Sequence, residues 1–528
     1  MSRFVETMVS TARREFQRGL VTGAPAEPVR RTWAEVHGQA LAVGGGLVAA
    51  GLRPGEAVGV LAAEPAAIAP LAQGIWLGGG SVTMLHQPTA RTDLAAWAAD
   101  TVRTLGMIEA ATVVLDATFA ALAQPLRDNG IRVLDVADLL RGEPLAQPVP
   151  RAEGDTALLQ LTSGSTAAPK AVVISHGNLY ANVTAMAQAS QLDPATDVMV
   201  SWLPLFHDMG MIGFLTVPMA VGMELVKITP VDFLRAPLVW PELITTYRGT
   251  ITASPNFGYA VFARQLSKVA DEDRFDLSRL RIALSGAEPI DPGVVHAFTS
   301  EGARFGMPAE CVLCAYGMAE ATLAVSFAPL GIGLDVDEVR GFPKLGPPLP
   351  GLEVRAVGEH GEVLPDHGIG ELQVRGDAVT VGYLTVDGPV ATQDAEGWLA
   401  TGDEGYLING QVVVCGRRKD VIILGGRNIY PTDVERAACA APDVRAGNAV
   451  AVRWDGNGRE RLAVVVESRR AGDTDAERAI RKNVAAEVVH SLGVRPSTVV
   501  VLPPGGLPKT PSGKLRRAEV RDKLAEWV

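Results

Sequence analysis

Four short segments carry residues whose types and spacing suit chemistry on a phosphate ester. The first is Thr162-Ser163-Gly164-Ser165-Thr166-Ala167-Ala168-Pro169-Lys170. Hydroxyls, a glycine and a lysine together can wrap phosphate oxygens, because small residues let backbone N–H groups approach and the cation balances charge. It is not a Walker A loop, since the GxxxxG before Lys-Ser/Thr is missing. A polar strand-to-helix loop remains the other reading. The second segment, Tyr316-Gly317-Met318-Ala319-Glu320, pairs a flat aromatic able to stack on a base with a carboxylate able to take a hard cation such as Mg²⁺. A helix cap is the alternative for Glu320. The third is Thr401-Gly402-Asp403, with Arg417 fourteen residues further on, a pair suited to two ribose hydroxyls or simply to a turn and a surface charge. The fourth, Pro508-Lys509-Thr510-Pro511-Ser512-Gly513-Lys514, is a turn-rich loop that presents a lysine, or a plain tail.

Elements able to position these segments follow from periodicity. From Thr32 to about Ser326, short β-rich runs alternate with helical stretches, which predicts an α/β fold with parallel sheets covered by helices. Thr32 and Glu35 form a capping box for a helix ending near Gly51. Strands are expected at 58–62, 112–115, 157–161, 199–202, 225–228, 250–253 and 282–284, so the first two chemical segments stand at strand ends, where such sheets bind ligands. After Pro329, Gly- and Pro-rich turns between strands at 352–357, 370–374 and 411–414 mark a smaller β-rich subdomain over about 330–416. A compact α+β unit follows, with strands at 449–452, 462–466 and 498–502 and a helix over 475–489. The expected domains are 1–416 and 421–528, joined at 417–420.

Composition narrows the function classes. The chain has 528 residues, long enough for two to four domains, and is 47% apolar. Its 48 basic against 59 acidic residues leave a formal charge of −11, so nucleic acid is not an expected partner. The opening 1–14 shows no apolar stretch of a secretory signal, and the cytoplasm is the expected compartment. The most apolar long segment, 209–223, contains Pro218 and is too short for a bilayer span; it reads as a buried helix. Four cysteines make no disulfide framework, and the single CxxC, Cys311 and Cys314, reads as core.

Taken in order, the four segments resemble the adenylate-forming superfamily of acyl-CoA synthetases, luciferases and peptide-synthetase adenylation domains over essentially the whole chain. Ser201-Trp202-Leu203-Pro204-Leu205-Phe206-His207-Asp208-Met209-Gly210, Ser254-Pro255-Asn256-Phe257, Ser285-Gly286-Ala287-Glu288-Pro289 and Gly425-Gly426-Arg427-Asn428-Ile429-Tyr430-Pro431 are most similar to its fatty acyl-AMP ligase branch, in particular to the acyl-loading ligases of mycobactin-type siderophore synthesis. The resemblance implies ATP and Mg²⁺ as cofactors, a fatty acid as substrate, and an acyl carrier protein or CoA as acceptor; an adenylation fold kept only to bind an acyl group or nucleotide is the rival, against which Glu320, Asp403, Arg417 and Lys514 together argue. It implies a phosphate loop at Thr162, Ser163, Gly164, Ser165, Thr166 and Lys170, and an adenine site at Ala287, Glu288, Tyr316 and Gly317. Glu320 would take the cation, Asp403 and Arg417 the ribose, Lys419 the hinge, and Lys514 the catalytic charge. Trp202, Phe206, Met211, Phe214, Phe257 and Tyr259 would line an acyl tunnel with His207 near its mouth, or form plain core. Two departures stand out: Ala167 replaces the superfamily's usual Gly, and Ala319 replaces a frequent Thr, the latter change shared by acyl-AMP ligases. Many of those ligases also carry an insertion that hinders thioester formation with CoA, and the 83-residue step from Glu320 to Asp403 is too short for a long one.

Overall fold

In the computed structural model, the strands Ala57–Leu61, Ser81–Met84 and Thr112–Leu115 are buried along their whole length. Their near-continuous apolar character suits a parallel sheet covered on both faces. The structure describes residues 1–14, 18–23, 26–88, 94–162, 169–424, 427–456, 459–509 and 515–528. Two compact units result, one of residues 1–354, 373–400 and 410–412, the other of 355–372, 401–409 and 413–528.

The first unit holds two eight-stranded sheets. One runs in the order Ala324–Phe327, Val312–Gly317, Ile282–Ser285, Ile251–Ser254, Val198–Ser201, Glu224–Lys227, Gly19–Thr22, Val29–Thr32, parallel except at its two edges. The other runs Gly388–Ala391, Gly382–Thr385, Lys170–Ser175, Thr156–Thr162, Ser81–Met84, Ala57–Leu61, Thr112–Leu115, Arg132–Asp135. The α/β expectation therefore holds, with antiparallel strands where the chain turns back at a sheet edge. The helix Trp33–Ala49 starts on the expected Thr32–Glu35 capping box. Among the described residues no helix is long and apolar enough to cross a membrane.

In the second unit, Ala449–Gly456, Arg459–Glu467 and Thr498–Leu502 form a three-stranded sheet. Its strands alternate faces, as a period of two requires. Val464 and Val466 pack with Val434, Ile480, Val484 and Val488 of the helices Pro431–Ala440 and Thr474–Leu492, whereas Val465 packs with Val520 and Leu524 of Arg517–Trp527.

Three local differences from the sequence reading bear on the site. The segment after Thr162 leads to a strand and not to a helix: Lys170–Ser175 pairs antiparallel with Thr156–Thr162, and Thr162 faces Lys170 across the ladder. The β-branched run Val172, Val173, Ile174 favours this pleated strand, and no helix start follows the loop directly. The strand expected at 199–202 ends one residue early, at Ser201, because the Ser201 hydroxyl accepts the Leu203 N–H at 3.1 Å and bends the chain out of the ladder at Trp202. Finally, 209–223 is not one regular helix. Met209–Thr216 is a π-helix with a break at Phe214 (φ −123°, ψ 25°), followed by the α-helix Val217–Val221. Pro218 lacks the N–H that would serve the Phe214 carbonyl in an α-helix, and the Thr216 hydroxyl instead donates to the Met211 carbonyl at 2.9 Å.

Candidate active site

The chemistry-bearing residues of the first unit sit at strand ends because the strands that carry them end in tight turns. Glu320 follows the strand Val312–Gly317 in a short 3₁₀ turn, Ala319–Ala321. The chain then reverses at Thr322, whose φ of 68° and ψ of −60° form a γ-turn closed by the Leu323 N–H on the Ala321 carbonyl at 2.8 Å. A β-branched residue in this conformation stores strain on the order of 1–3 kcal/mol. The fully buried Thr322 hydroxyl, donating to the Ala378 carbonyl at 2.7 Å, helps to hold it. Gly317 is required by the same reversal: a Cβ there would lie 2.1 Å from the Leu323 carbonyl oxygen.

This turn delivers the Glu320 carboxylate to Lys170 and to a residue the sequence reading did not select. Lys170 Nζ is 3.4 Å from Glu320 Oε1, and the Tyr383 hydroxyl donates to the same oxygen at 2.6 Å. The Lys170 ammonium also stands 3.8 Å from the centroid of the Tyr383 ring. The juxtaposition comes from sheet register, since Gly382–Thr385 pairs antiparallel with Lys170–Ser175, placing Thr385 opposite Lys170 and Tyr383 on the diagonal of the same face. The Thr162 hydroxyl, at the end of the neighbouring strand, is buried without a hydrogen-bond partner among the described residues. Ser163, Gly164, Ser165 and Thr166 lie outside the described residues, as does Lys514.

Ala287 and Glu288 follow the strand Ile282–Ser285, with Ala287 at a φ of 67°. Glu288 Oε1 accepts the Phe257 N–H at 2.7 Å at the start of the helix Asn256–Leu266, linking the expected adenine and acyl residues directly. Tyr316 is buried, and its hydroxyl stands 3.8 Å from Met318 Sδ.

The residues expected along an acyl tunnel divide into two groups. Trp202, Met211, Phe214 and Tyr259 are core, with Trp202 stacked on Phe233 at 4.2 Å and edge-on to Phe257 at 5.8 Å. Phe206, His207 and Phe257 are half-buried. Gly210 makes the bend around them possible, as a Cβ would meet the Pro204 carbonyl at 2.0 Å. The His207 imidazole contacts the Asp208 carboxylate at 2.5 Å, and the Phe206 ring meets His86 edge-on at 6.0 Å. Burial, and to a lesser degree the neighbouring His207, holds His86 below its usual range.

Lys227 underpins this loop. It is fully buried and donates to the Leu203 carbonyl and, at 3.2 Å, to the Ile228 carbonyl; burial pushes it from 10.5 down to about 7. Between those values the unfolded chain binds the proton that the native state sheds, so stability attributable to this site rises from pH 7 towards pH 10. In urea titrations the native chain should therefore gain stability relative to Lys227→Met over that window. The variant starts about 1–3 kcal/mol lower at high pH, because two buried carbonyls lose their donor. Identical slopes for both chains would overturn this assignment.

In the second unit, Asp403 is buried on the strand Leu399–Ile408 and receives Arg417 Nε at 2.8 Å. The Thr401 hydroxyl accepts the Asp403 N–H at 3.0 Å, and Arg417 also donates to the Thr401 carbonyl at 3.3 Å. Lys419 lies in the adjoining 3₁₀ turn Arg418–Asp420, where Arg418 pairs with Glu371 at 2.9 Å. Cys311 and Cys314 are buried and free, and burial pushes both thiols up to about 12, which leaves them unreactive.

A cation site made by protein alone is not what this geometry offers. Among the described residues no group of three or more His, Cys, Asp and Glu side chains converges. Glu320 fits Mg²⁺ in the way that ion is usually held, by one carboxylate together with substrate phosphates and water.

Known proteins are similar to this chain over nearly its whole length. Residues 10–384 match the AMP-binding enzyme family and residues 426–523 match the AMP-binding enzyme C-terminal domain. The Mycobacterium tuberculosis chain Rv1013 is 53% identical over 98% of this chain and 99% of its own length. The long-chain-fatty-acid–AMP ligase FadD26 of Mycobacterium marinum is 30% identical over 92% of this chain and 90% of its own. A solved fatty acyl-adenylate ligase, from work on the E. coli and L. pneumophila enzymes, superposes with a TM-score of 0.89 at 28% identity, covering 100% of this chain and 98% of that one. With both segments of the family present in order and relatives matched nearly end to end, the chain belongs to the AMP-binding enzyme family and is an adenylate-forming ligase.

Proposed function

We propose that the protein activates a fatty acid, of long chain, and passes the acyl group to the phosphopantetheine thiol of an acyl carrier protein in lipid, polyketide or siderophore synthesis in the cytoplasm. In the first half-reaction a carboxylate oxygen attacks the α-phosphorus of ATP. The bond from that phosphorus to the bridging oxygen breaks, and pyrophosphate leaves. In the second, the thiol sulfur attacks the acyl carbon, its proton is lost, and AMP departs. The observation that supports this reading most is the Lys170, Glu320 and Tyr383 cluster beside the hydroxyl-rich segment that begins at Thr162.

The roles follow from charge. Two anions must be brought together, so cationic and hydrogen-bonding groups have to align them and neutralise charge that develops on phosphate oxygens. Lys170 and the Thr162–Thr166 hydroxyls and amides suit the phosphates, Asp403 with Arg417 the ribose, and Ala287, Glu288, Tyr316 and Gly317 the adenine. Mg²⁺, when bound at Glu320, supplies further neutralisation of the phosphates. Lys514 supplies the positive charge of the adenylation step, and rotation about Lys419 withdraws it before the thiol enters; domain steps of this kind often limit turnover. Phe206 and Phe257, backed by the buried Trp202 and Met211, enclose the acyl chain, with His207 near the mouth.

A second reading, acyl-CoA synthesis, is favoured by one observation. The step from Glu320 to Asp403 spans 83 residues and holds the strands Ala324–Phe327, Leu352–Val357, Gly370–Gly376, Gly382–Thr385, Gly388–Ala391 and the start of Leu399–Ile408, which leaves little length for a long insertion that would bar CoA. Mass spectrometry of products from ATP, Mg²⁺ and a panel of fatty acids, with and without CoA, separates the two. Acyl-AMP that persists with CoA and is consumed by a holo carrier protein is the expected result. Conversion to acyl-CoA makes the protein a synthetase, and absence of any adenylate sinks both.

A further inference from the structure

We infer that Tyr383 is a positioning residue for the ATP-dependent step, setting the Glu320 carboxylate with its hydroxyl and the Lys170 ammonium with its ring. The inference rests on the reading of Glu320 as the carboxylate that takes the cation.

Four contacts carry it. The Tyr383 hydroxyl and Lys170 Nζ converge on one atom, Glu320 Oε1, at 2.6 and 3.4 Å. Lys170 is 3.8 Å from the ring centroid of the same tyrosine, within the range of a cation–π attraction. The Glu320 backbone is tied to the same segment, since its carbonyl accepts the Thr380 N–H at 2.8 Å. One aromatic residue on the strand Gly382–Thr385 thus touches both charged groups assigned to phosphate and cation, which lie 150 residues apart in sequence.

Lys170 and Glu320 neutralise each other in this arrangement, and both are largely shielded from solvent. For Mg·ATP to bind, the ion pair has to open, with the ammonium turning to phosphate oxygens and the carboxylate to the cation. An ionised carboxylate has about four acceptor sites, so the hydroxyl can keep one while the others serve the cation. The ring gives Lys170 a second partner, so its charge is not stranded as it leaves Glu320. Tyr383 therefore acts through two other residues and bears on cation and nucleotide capture, not on the acyl group.

Two variants separate the hydroxyl from the ring. Tyr383→Phe keeps shape and ring but loses the hydrogen bond; a bond to a charged group of this kind corresponds to roughly a tenfold change in binding. Tyr383→Leu loses both. Electron paramagnetic resonance of Mn²⁺ with ATP, without fatty acid, reads binding directly, and thermal unfolding checks that both variants fold. Tyr383→Phe is expected to weaken Mn²⁺ binding about tenfold and to raise the Mg²⁺ half-saturation equally, with KM for the fatty acid unchanged. Tyr383→Leu is expected in addition to raise KM for ATP about threefold. Mn²⁺ bound as tightly by Tyr383→Phe as by the native chain overturns the positioning role. Failure of the native chain to bind Mn²⁺ with ATP overturns the reading of Glu320 instead.

Discussion

Glu320→Gln should lower ATP–pyrophosphate exchange by roughly 10²–10³-fold, the scale on which removal of one preorganised electrostatic partner acts. The substitution keeps the side-chain length and leaves an oxygen able to accept from the Tyr383 hydroxyl, now 2.6 Å from Glu320 Oε1. It removes the negative charge that a hard cation requires, so the loss should appear as weak Mg²⁺ dependence and poor exchange in a chain that still folds. It also frees Lys170 from its carboxylate at 3.4 Å, so nucleotide without metal should bind no worse than to the native protein. Comparing exchange rates with calorimetric binding of ATP, with and without Mg²⁺, tests both halves. Exchange at the native rate would remove Glu320 from the cation site.

Lys514→Ala should abolish acyl-adenylate formation, again by at least roughly 10²–10³-fold, while ATP binding and thioester formation from preformed acyl-AMP persist. Lys514 lies outside the described residues, but the chain on either side of its segment is well held. Lys509 and Leu515 face each other in an antiparallel bridge, and the Arg516 N–H meets the Pro508 carbonyl at 3.0 Å. Just upstream, the buried Glu467 takes the N–H groups of Gly505 and Leu507 at 2.9 and 3.0 Å, and Arg445 balances its charge. Such support makes a lysine substitution there a test of charge and not of folding. The split between the two half-reactions is the informative part, because a lysine withdrawn before the thiol arrives is needed only for the first. Undiminished pyrophosphate release by the variant would sink the assignment; equal loss of both half-reactions would remove the proposed rotation about Lys419.

Much of the fold was legible in local pattern. Short buried runs such as Ala57–Leu61 and Thr112–Leu115 could be read as strands because both faces of a covered parallel sheet demand apolar residues. The Thr32–Glu35 cap was legible because its two hydrogen bonds are local. The strand Lys170–Ser175 was not, since its partners Thr156–Thr162 and Gly382–Thr385 come from opposite sides in sequence and leave no local signature. The π-helix Met209–Thr216 was hidden for another reason: apolar content marks burial but not the hydrogen-bond step inside a helix.

The candidate site divides along the same line. Sequence by itself determined which groups are present: hydroxyls and Lys170 after a strand, a carboxylate at Glu320, the Asp403 and Arg417 pair, and the ordered set that places the chain in its family. Tertiary structure alone decided that Lys170, Glu320 and Tyr383 meet at one carboxylate oxygen, that Glu288 reaches the Phe257 amide, and that Lys227 supports the Leu203 carbonyl from within the core. Residue types and turn chemistry act over a few positions, whereas strand register and the strained reversal at Thr322 bring together side chains far apart in the chain.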